Sequence, residues 1–216
     1  FDQQLAKQIL ANKGSADVIC GANVFCHIED INSVFEGLSL LLKEGGMVFF
    51  EEPYMLAIAE KSSFDQMYDE HIYYYSGLSI RELARRHGLE LVKMLPLPFH
   101  GGSMRYYLQK KKAAKIDFSV EENIKSEIVL KLNSFEGYEN FQAKVDLICS
   151  DLNRVLKDLT KKGNRVVGYG ATSKSTTTLN YAKIGQNLIE YITDNTPNKI
   201  GKYTPGTHIP IKNHQA

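Results

Sequence analysis

The 216-residue chain is 43% hydrophobic and 24% charged, enough to bury one large core or two small ones and too apolar for disorder. Its 26 basic and 25 acidic residues leave a formal net charge of +1, which excludes recruitment of nucleic acid or an anionic membrane by a global field. No apolar run reaches the roughly 18 to 20 residues of a membrane span and no charged-then-apolar leader opens the chain, so a cytoplasmic protein is expected.

Cys20, Cys26 and Cys149 are odd in number and form no Cys-x-x-Cys pair, which predicts reduced, buried thiols and neither a disulfide framework nor a zinc site. The chain opens at Phe1 and stops at Ala216 just beyond an apparent strand, so both ends are expected to be cut.

Residues 2 to 12 have helical composition and Gly14 offers a stop. Ala16 to Cys20 reads as a buried strand. Gly21 to Asp30 is a polar junction holding Asn23 and His27, after which Ile31, Val34, Phe35, Leu38, Leu41 and Leu42 recur at helical spacing, ended by Gly45 and Gly46. Met47 to Phe50 is a second buried strand, closed by Glu51, Glu52 and Pro53. This strand, helix, strand order predicts a parallel sheet, whose ligands gather at the carboxyl ends of the strands. Asn23, His27 and Glu51 are placed there; His27 is either a site residue or a capping and packing histidine.

In residues 64 to 76, Tyr68, Glu70 and His71 are followed by Tyr73, Tyr74, Tyr75 and Ser76. A histidine flanked by a carboxylate and phenols can be held in one tautomer and tuned near neutral pH, as carbon acid chemistry requires. The alternative is an exposed aromatic loop with a surface histidine. Ser79 as N-cap with Glu82 predicts a helix stopped at Gly88. Leu89 to Leu95 and Met104 to Leu108 form an antiparallel addition around His100 to Ser103, where His100 is a turn residue or a substrate contact.

The run Lys110, Lys111, Lys112 and Lys115 reads as a solvated linker, so domains are placed at 1–109 and 110–216. From Val120 to Lys162, Ile124, Ile128, Leu132, Phe135, Phe141, Val145, Ile148, Leu152, Leu156 and Leu159 suit long amphipathic helices, broken near Gly137. Arg165 to Gly170 is a strand leading through Gly168, Tyr169, Gly170, Ala171, Thr172, Ser173 and Lys174 into a helix from Ser175 to Ala182. Such a turn presents amides and the helix dipole to an anion, with Lys174 as a phosphate partner; tight strand-to-helix packing is the alternative. Ser173 replaces the third glycine of the dinucleotide fingerprint. Leu188 to Ile192 is the next strand, ending at Asp194 where a ribose-binding carboxylate is expected, and the loop Lys199 to Thr207 with Tyr203 lies where it can close over a ligand.

Phe64-Asp-Gln-Met-Tyr68-Asp-Glu70-His71, His100-Gly-Gly-Ser-Met-Arg105, Gly168-Tyr-Gly-Ala-Thr-Ser-Lys174 and Gly201-Lys-Tyr-Thr-Pro-Gly-Thr-His-Ile-Pro210 together resemble the sugar C-methyltransferases over nearly the whole chain. The resemblance implies an α/β protein: the later half of a Rossmann-like methyltransferase domain, a helical linker, and a second Rossmann-like domain. It implies S-adenosylmethionine as cofactor, a nucleotide-linked keto-deoxysugar as partner, and zinc only in an amino-terminal region that these residues lack. The Leu42-Lys43-Glu44-Gly45-Gly46 turn is typical of methyltransferases, whereas the glycine-rich cofactor loop is absent, leaving Asn23 as the candidate cofactor contact.

Carried across by motif, the catalytic positions are His27, Tyr68, Glu70 and His71. The substrate-binding positions are Gly168, Tyr169, Gly170, Lys174 and Tyr203, facing a sugar-linked pyrophosphate. On this resemblance a neutral His71 is expected to remove the proton beside the ketone, with Tyr68 or His27 donating to the enolate oxygen and Glu70 orienting His71, steadying His27 or binding a sugar hydroxyl. No metal is expected. The competing readings are a nicotinamide-dependent oxidoreductase using the Gly168 loop and a nucleotide-sugar-binding fragment without activity.

Overall fold

Asp2 opens the first helix, its carboxylate accepting from Leu5 N at 2.7 Å, and α1 (Gln3–Lys13) closes at Gly14, whose φ of 80° suits a residue without Cβ. The chain is seen in a computed structural model that describes residues 1–215. Strand β1 (Ala16–Ala22) follows, then α2 (Ile31–Leu41), capped by Asp30, and β2 (Leu42–Pro53), parallel to β1. The helical spacing after Asp30 is realised: Ile31, Val34, Phe35, Leu38 and Leu41 are all buried.

Two strand expectations need correction. Strand β1 is not buried: it forms the edge of a four-stranded sheet in which β2 is followed by β4 (Ser103–Lys110) and then β3 (Leu89–Leu97), so Val18 is 58% exposed and Cys20 is exposed too. Strand β2 does not stop at Phe50, because β4 (Ser103–Lys110) pairs with it antiparallel through Glu51, Glu52 and Pro53. Glu51 therefore sits within the strand, opposite Arg105, rather than past its end. The sheet is mixed. Strand β3 (Leu89–Leu97) pairs antiparallel with β4, as the composition of residues 89 to 108 anticipates.

The hairpin between β3 and β4 turns through His100 (φ 52°) and Gly102 (φ 134°). A Cβ on Gly102 would lie 2.5 Å from Ala57 Cβ in α3 (Met55–Lys61), so the turn is pressed against that helix. His100 thus stands in the turn geometry that was one of its two readings.

Helix α4 (Gly77–Arg86) starts earlier than Ser79 predicts. Its N-cap is Ser76, which exchanges bonds with Ser79, because the buried Glu127 takes the amides of Gly77 and Leu78 at 2.6 and 2.9 Å. Glu127 lies on α5 (Phe118–Val129), which precedes α6 (Phe135–Lys161). The break falls in residues 130–134, not at Gly137. Gly137 marks a close approach: its Cβ would meet Lys131 O at 2.4 Å, where Lys131 adopts φ 56°. Ile124, Leu132, Phe141, Val145 and Leu156 are buried as their spacing predicts and Leu152 is half-buried, but Phe135 is 77% exposed, and Ile128, Ile148 and Leu159 are exposed as well, with Cys149 buried where Ile148 was expected.

The chain forms two compact units, Phe1–Ser63 with Asp69–Tyr138, and Phe64–Tyr68 with the residues from Glu139 onward. They divide after Tyr138, with α5 packed on β3 and α4 of the first unit, whereas composition placed the boundary after residue 109.

In the second unit, β5 (Gly168–Tyr169), β6 (Ile192–Thr193) and β7 (Ile211–Lys212) form a parallel sheet in that order, with α7 (Ser173–Tyr181) between the first two. The strands are shorter than expected, although Val166 O still accepts from Glu190 N. Helix α7 begins two residues before the expected Ser175, capped by Thr172. Residues 64–68 are tied to α7, where Thr177 Oγ1 donates to Met67 O at 3.0 Å. No helix among the described residues is long and apolar enough to cross a membrane.

Candidate active site

At the carboxyl end of β1 the chain leaves the sheet through Asn23 (φ 51°), whose amide donates to Glu51 O at 2.8 Å. The next two amides, Val24 N and Phe25 N, donate to Glu52 Oε1 at 3.0 and 2.7 Å. Along β2 the buried positions Val48, Phe50 and Glu52 alternate, so strand parity turns this carboxylate inward beneath the turn. Phe25 packs its ring 4.5 Å from that of Phe50, and Cys26 is buried behind it. The single turn Phe25–His27 thereby drives two side chains into the core and leaves His27 exposed.

The segment after Glu70 is stitched onto this turn. Ile72 N and Tyr73 N donate to Cys26 O at 2.8 and 3.3 Å, Tyr73 Oη donates to Glu29 O at 2.6 Å, and Tyr75 Oη donates to Phe25 O at 3.1 Å. These bonds set the His71 ring 5.1 Å from the His27 ring and 6.0 Å from that of Tyr74.

His27 Nδ1 lies 2.6 Å from Glu70 O. A carbonyl oxygen only accepts, so Nδ1 carries the hydrogen, and in the neutral ring the lone pair resides on Nε2. Burial pushes the Cys26 thiol well above its ordinary range, and the adjacent Glu52 carboxylate pushes it further. Burial, then the charge of Glu52, does the same to the Tyr75 phenol.

Of the residues expected to act together, His27 and His71 are brought side by side. Glu70 contributes its main-chain carbonyl to His27, and its side chain is exposed. Tyr68 is half-buried in the short stretch that packs with the second unit. Cys26 is buried and free, as expected of it, but the sequence assigns neither it nor Glu52, Tyr73 and Tyr75 a place in the site. The run Met47-Val-Phe-Phe-Glu-Glu-Pro53 has no alternation of apolar and polar residues that would single out Glu52, and the tyrosines carry no signal beyond their number.

The second unit holds a cavity of about 340 Å³ lined by Ala171, Thr172 and Ser173 on one side and by Lys199, Lys202 and Tyr203 on another. The later loop thus faces the glycine-rich turn, as expected. The turn itself is largely engaged within the protein. Gly168 N and Gly170 N donate to Tyr191 O and Thr193 O, Ala171 N to Asp194 Oδ2, and Thr172 N to Ser175 Oγ. Gly168 is needed for close packing, since its Cβ would fall 2.7 Å from Ile192 Cγ1, and Gly170 for its φ of 87°. Tyr169 is 85% exposed, and Lys174 is half-buried on α7; neither these nor the two glycines line the cavity. Asp194 is likewise corrected: it holds the loop's own amide, so it does not stand free for a ribose.

The Asp194 carboxyl is held well below the usual range, first by its bonds to Thr196 and then by Ala171 N and Lys199. A depressed folded pKa stabilises above the unfolded value of about 3.9, and that contribution is lost as pH falls through the folded value. Between roughly pH 5 and pH 2 the urea midpoint of the second unit should therefore drop more steeply in the unaltered chain than in Asp194→Asn. Equal slopes in the two would refute this.

The family described as C-methyltransferase C-terminal domain matches residues 98–216, and that described as methyltransferase domain matches residues 1–94. The C-methyltransferase NovU of Streptomyces niveus is 29% identical over 212 residues, covering 98% of this chain and 50% of that protein. The chain thus spans about half the length of this relative. Among the solved structures that match in part are two methyltransferases. An S-adenosylmethionine-dependent methyltransferase of Anabaena variabilis is 17% identical over 51% of this chain and 55% of its own, with a TM-score of 0.39. The N-methyltransferase NodS of Bradyrhizobium japonicum, solved with S-adenosyl-L-homocysteine, is 13% identical over 44% and 46%, with a TM-score of 0.32. Because the first of the family matches extends over more than half of its residues, the chain belongs to the C-methyltransferases.

Proposed function

We propose that this chain is the proton-abstracting and substrate-holding portion of an S-adenosylmethionine-dependent C-methyltransferase acting on a nucleotide-linked keto-deoxysugar. The observation that carries the reading is the pair of imidazoles, His27 and His71, placed 5.1 Å apart at the carboxyl end of β1. Methylation at carbon requires a carbon nucleophile, and a ketone acidifies its neighbouring hydrogen enough for an imidazole to remove it. His71 is assigned that removal.

The pinned tautomer of His27 narrows the remaining roles. With Nδ1–H directed to Glu70 O, its Nε2 can donate only after the ring is protonated. Tyr68 carries a phenol that donates without prior protonation, so on chemistry alone the enolate oxygen is assigned to Tyr68.

Bound S-adenosylmethionine supplies the methyl group. In the first unit Asn23, at the carboxyl end of β1, is the candidate contact: Gly21 lies within that strand, and the junction from Asn23 to Asp30 holds no glycine. These residues do not build a complete cofactor site, and the proposed chemistry rests on those that handle the proton.

For the nucleotide sugar, the cavity of the second unit has a volume within the usual range of ligand sites and is flanked by Lys199 and Lys202. Lys199 Nζ is tied to Ala171 O at 2.7 Å, whereas the Lys202 side chain reaches an exposed rim. A pyrophosphate recognised there should bind at least tenfold more weakly to Lys202→Glu, the effect of losing a charge-assisted contact of about 1.5 to 3 kcal/mol. Calorimetry with a nucleotide-linked sugar measures this. Unchanged affinity would remove the cavity from substrate binding, and tight binding of NADH instead would favour the oxidoreductase reading.

A further inference from the structure

Cys26, His27 and His71 each bring one ligand atom to the same place, all within 4.8 Å of one another. We propose that this cluster is a binding site for a divalent late transition ion of the zinc and cobalt class, held by the Cys26 thiolate, His27 Nε2 and one ring nitrogen of His71. A thiolate with two imidazoles is the donor set such ions prefer over magnesium or calcium.

Three observations support the assignment. His27 is already oriented as a ligand: its Nδ1–H is held by Glu70 O at 2.6 Å, the outer hydrogen bond that typically fixes a metal-binding imidazole and leaves Nε2 to coordinate. Tetrahedral zinc keeps such donors about 3.4 to 3.6 Å apart, so side-chain rotation of roughly an ångström closes the cluster. Beneath the turn lies a fully buried carboxyl, Glu52, whose Oε2 has no hydrogen-bond partner among the described residues. A cation at the cluster would offset that charge.

Coordination replaces the hydrogen of the Cys26 S–H bond with an S–metal bond, and the displaced proton passes to the buffer. Neutral His27 and His71 each contribute a lone pair, and no oxidation state changes. The fourth position stays open to water. Since the ion occupies the His71 lone pair, its binding blocks proton removal; that consequence rests on the functional reading above, whereas the binding itself does not.

The test is titration of this 216-residue chain with cobalt(II), read by absorption. One equivalent should bind with a thiolate-to-cobalt charge-transfer band. Cys26→Ser should lose the band, and His71→Ala should weaken binding at least tenfold, with circular dichroism verifying that each variant is folded. Should Cys26→Ser fail to fold, His71→Ala decides. Absence of a thiolate band at one equivalent, or affinities unaffected by either change, as surface histidines would give, overturns the site. Methyl transfer is not measured, so failure here leaves the functional reading standing and success does not depend on it.

Discussion

Replacing His71 with alanine in the intact enzyme is expected to abolish exchange of the acidic sugar hydrogen with solvent while S-adenosylmethionine binding persists. General bases contribute on the order of 100- to 10,000-fold, and exchange reports the proton step apart from methyl transfer. The geometry makes this discriminating. His27 stands 5.1 Å from His71 and has its own lone pair on Nε2, so it is the natural rival for the same role. If His27 were the base, His71→Ala would retain exchange and His27→Ala would eliminate it. Loss of exchange in His71→Ala with retained cofactor affinity assigns the base; retained exchange removes His71 from it. Glu70→Gln should have a small effect on exchange, because the contact with His27 is made by the main-chain carbonyl, which the substitution keeps.

Much of this arrangement was legible in the residues, and the failures share a physical cause. The helical periodicity of Ile31 to Leu41, the Gly14 stop and the hairpin around Gly101 and Gly102 depend on local spacing and were found. What was misread depends on long-range pairing. Strand β2 continues through Glu51 to Pro53 because β4, some fifty residues later, supplies the partner; a Glu-Glu-Pro end taken alone reads as a stop. Ser79 looked like an N-cap because the acid that completes the helix start, Glu127, lies fifty positions away. The site follows the same rule. His27 and His71 were individually conspicuous as histidines beside polar, aromatic sequence, but their proximity arises from main-chain bonds of Ile72 and Tyr73 to Cys26 O, which no spacing reveals. The glycine-rich turn divides between its two readings: Ala171, Thr172 and Ser173 line the cavity, while its glycines serve packing. Its pattern suggested an anion cradle, yet Gly168 makes room for Ile192, Gly170 supplies a positive φ, and Asp194 already faces the amide of Ala171.

Glu127→Ala should cost about 3 to 5 kcal/mol of unfolding free energy in the first unit, a large share of the 5 to 15 kcal/mol typical of a domain. The side chain is fully buried and accepts from Tyr54 Oη at 2.8 Å and from Gly77 N and Leu78 N at 2.6 and 2.9 Å. Truncation strands two buried donors, Tyr54 Oη and Gly77 N, and the part-buried Leu78 N, each costing about 1 to 3 kcal/mol, and takes the carboxylate away from the start of α4. Burial and the Glu127 charge already push the Tyr54 phenol upward, as expected for a donor facing a buried carboxylate. Two milder variants separate the contributions. Tyr54→Phe removes one donor with its hydroxyl and should cost only about 1 kcal/mol, whereas Glu127→Gln keeps one acceptor oxygen but turns an amide N–H toward donors, giving an intermediate loss. The effect should also reach the site, because Ser76 and Gly77 start α4 directly after Tyr75, which is fixed through Met55 N to Tyr75 O at 2.9 Å and through its hydroxyl to Phe25. Urea unfolding of the three variants tests the ranking. Equal stability of Glu127→Ala and the unaltered chain would show that these amides find other partners and that the helix start is held by Ser76 alone.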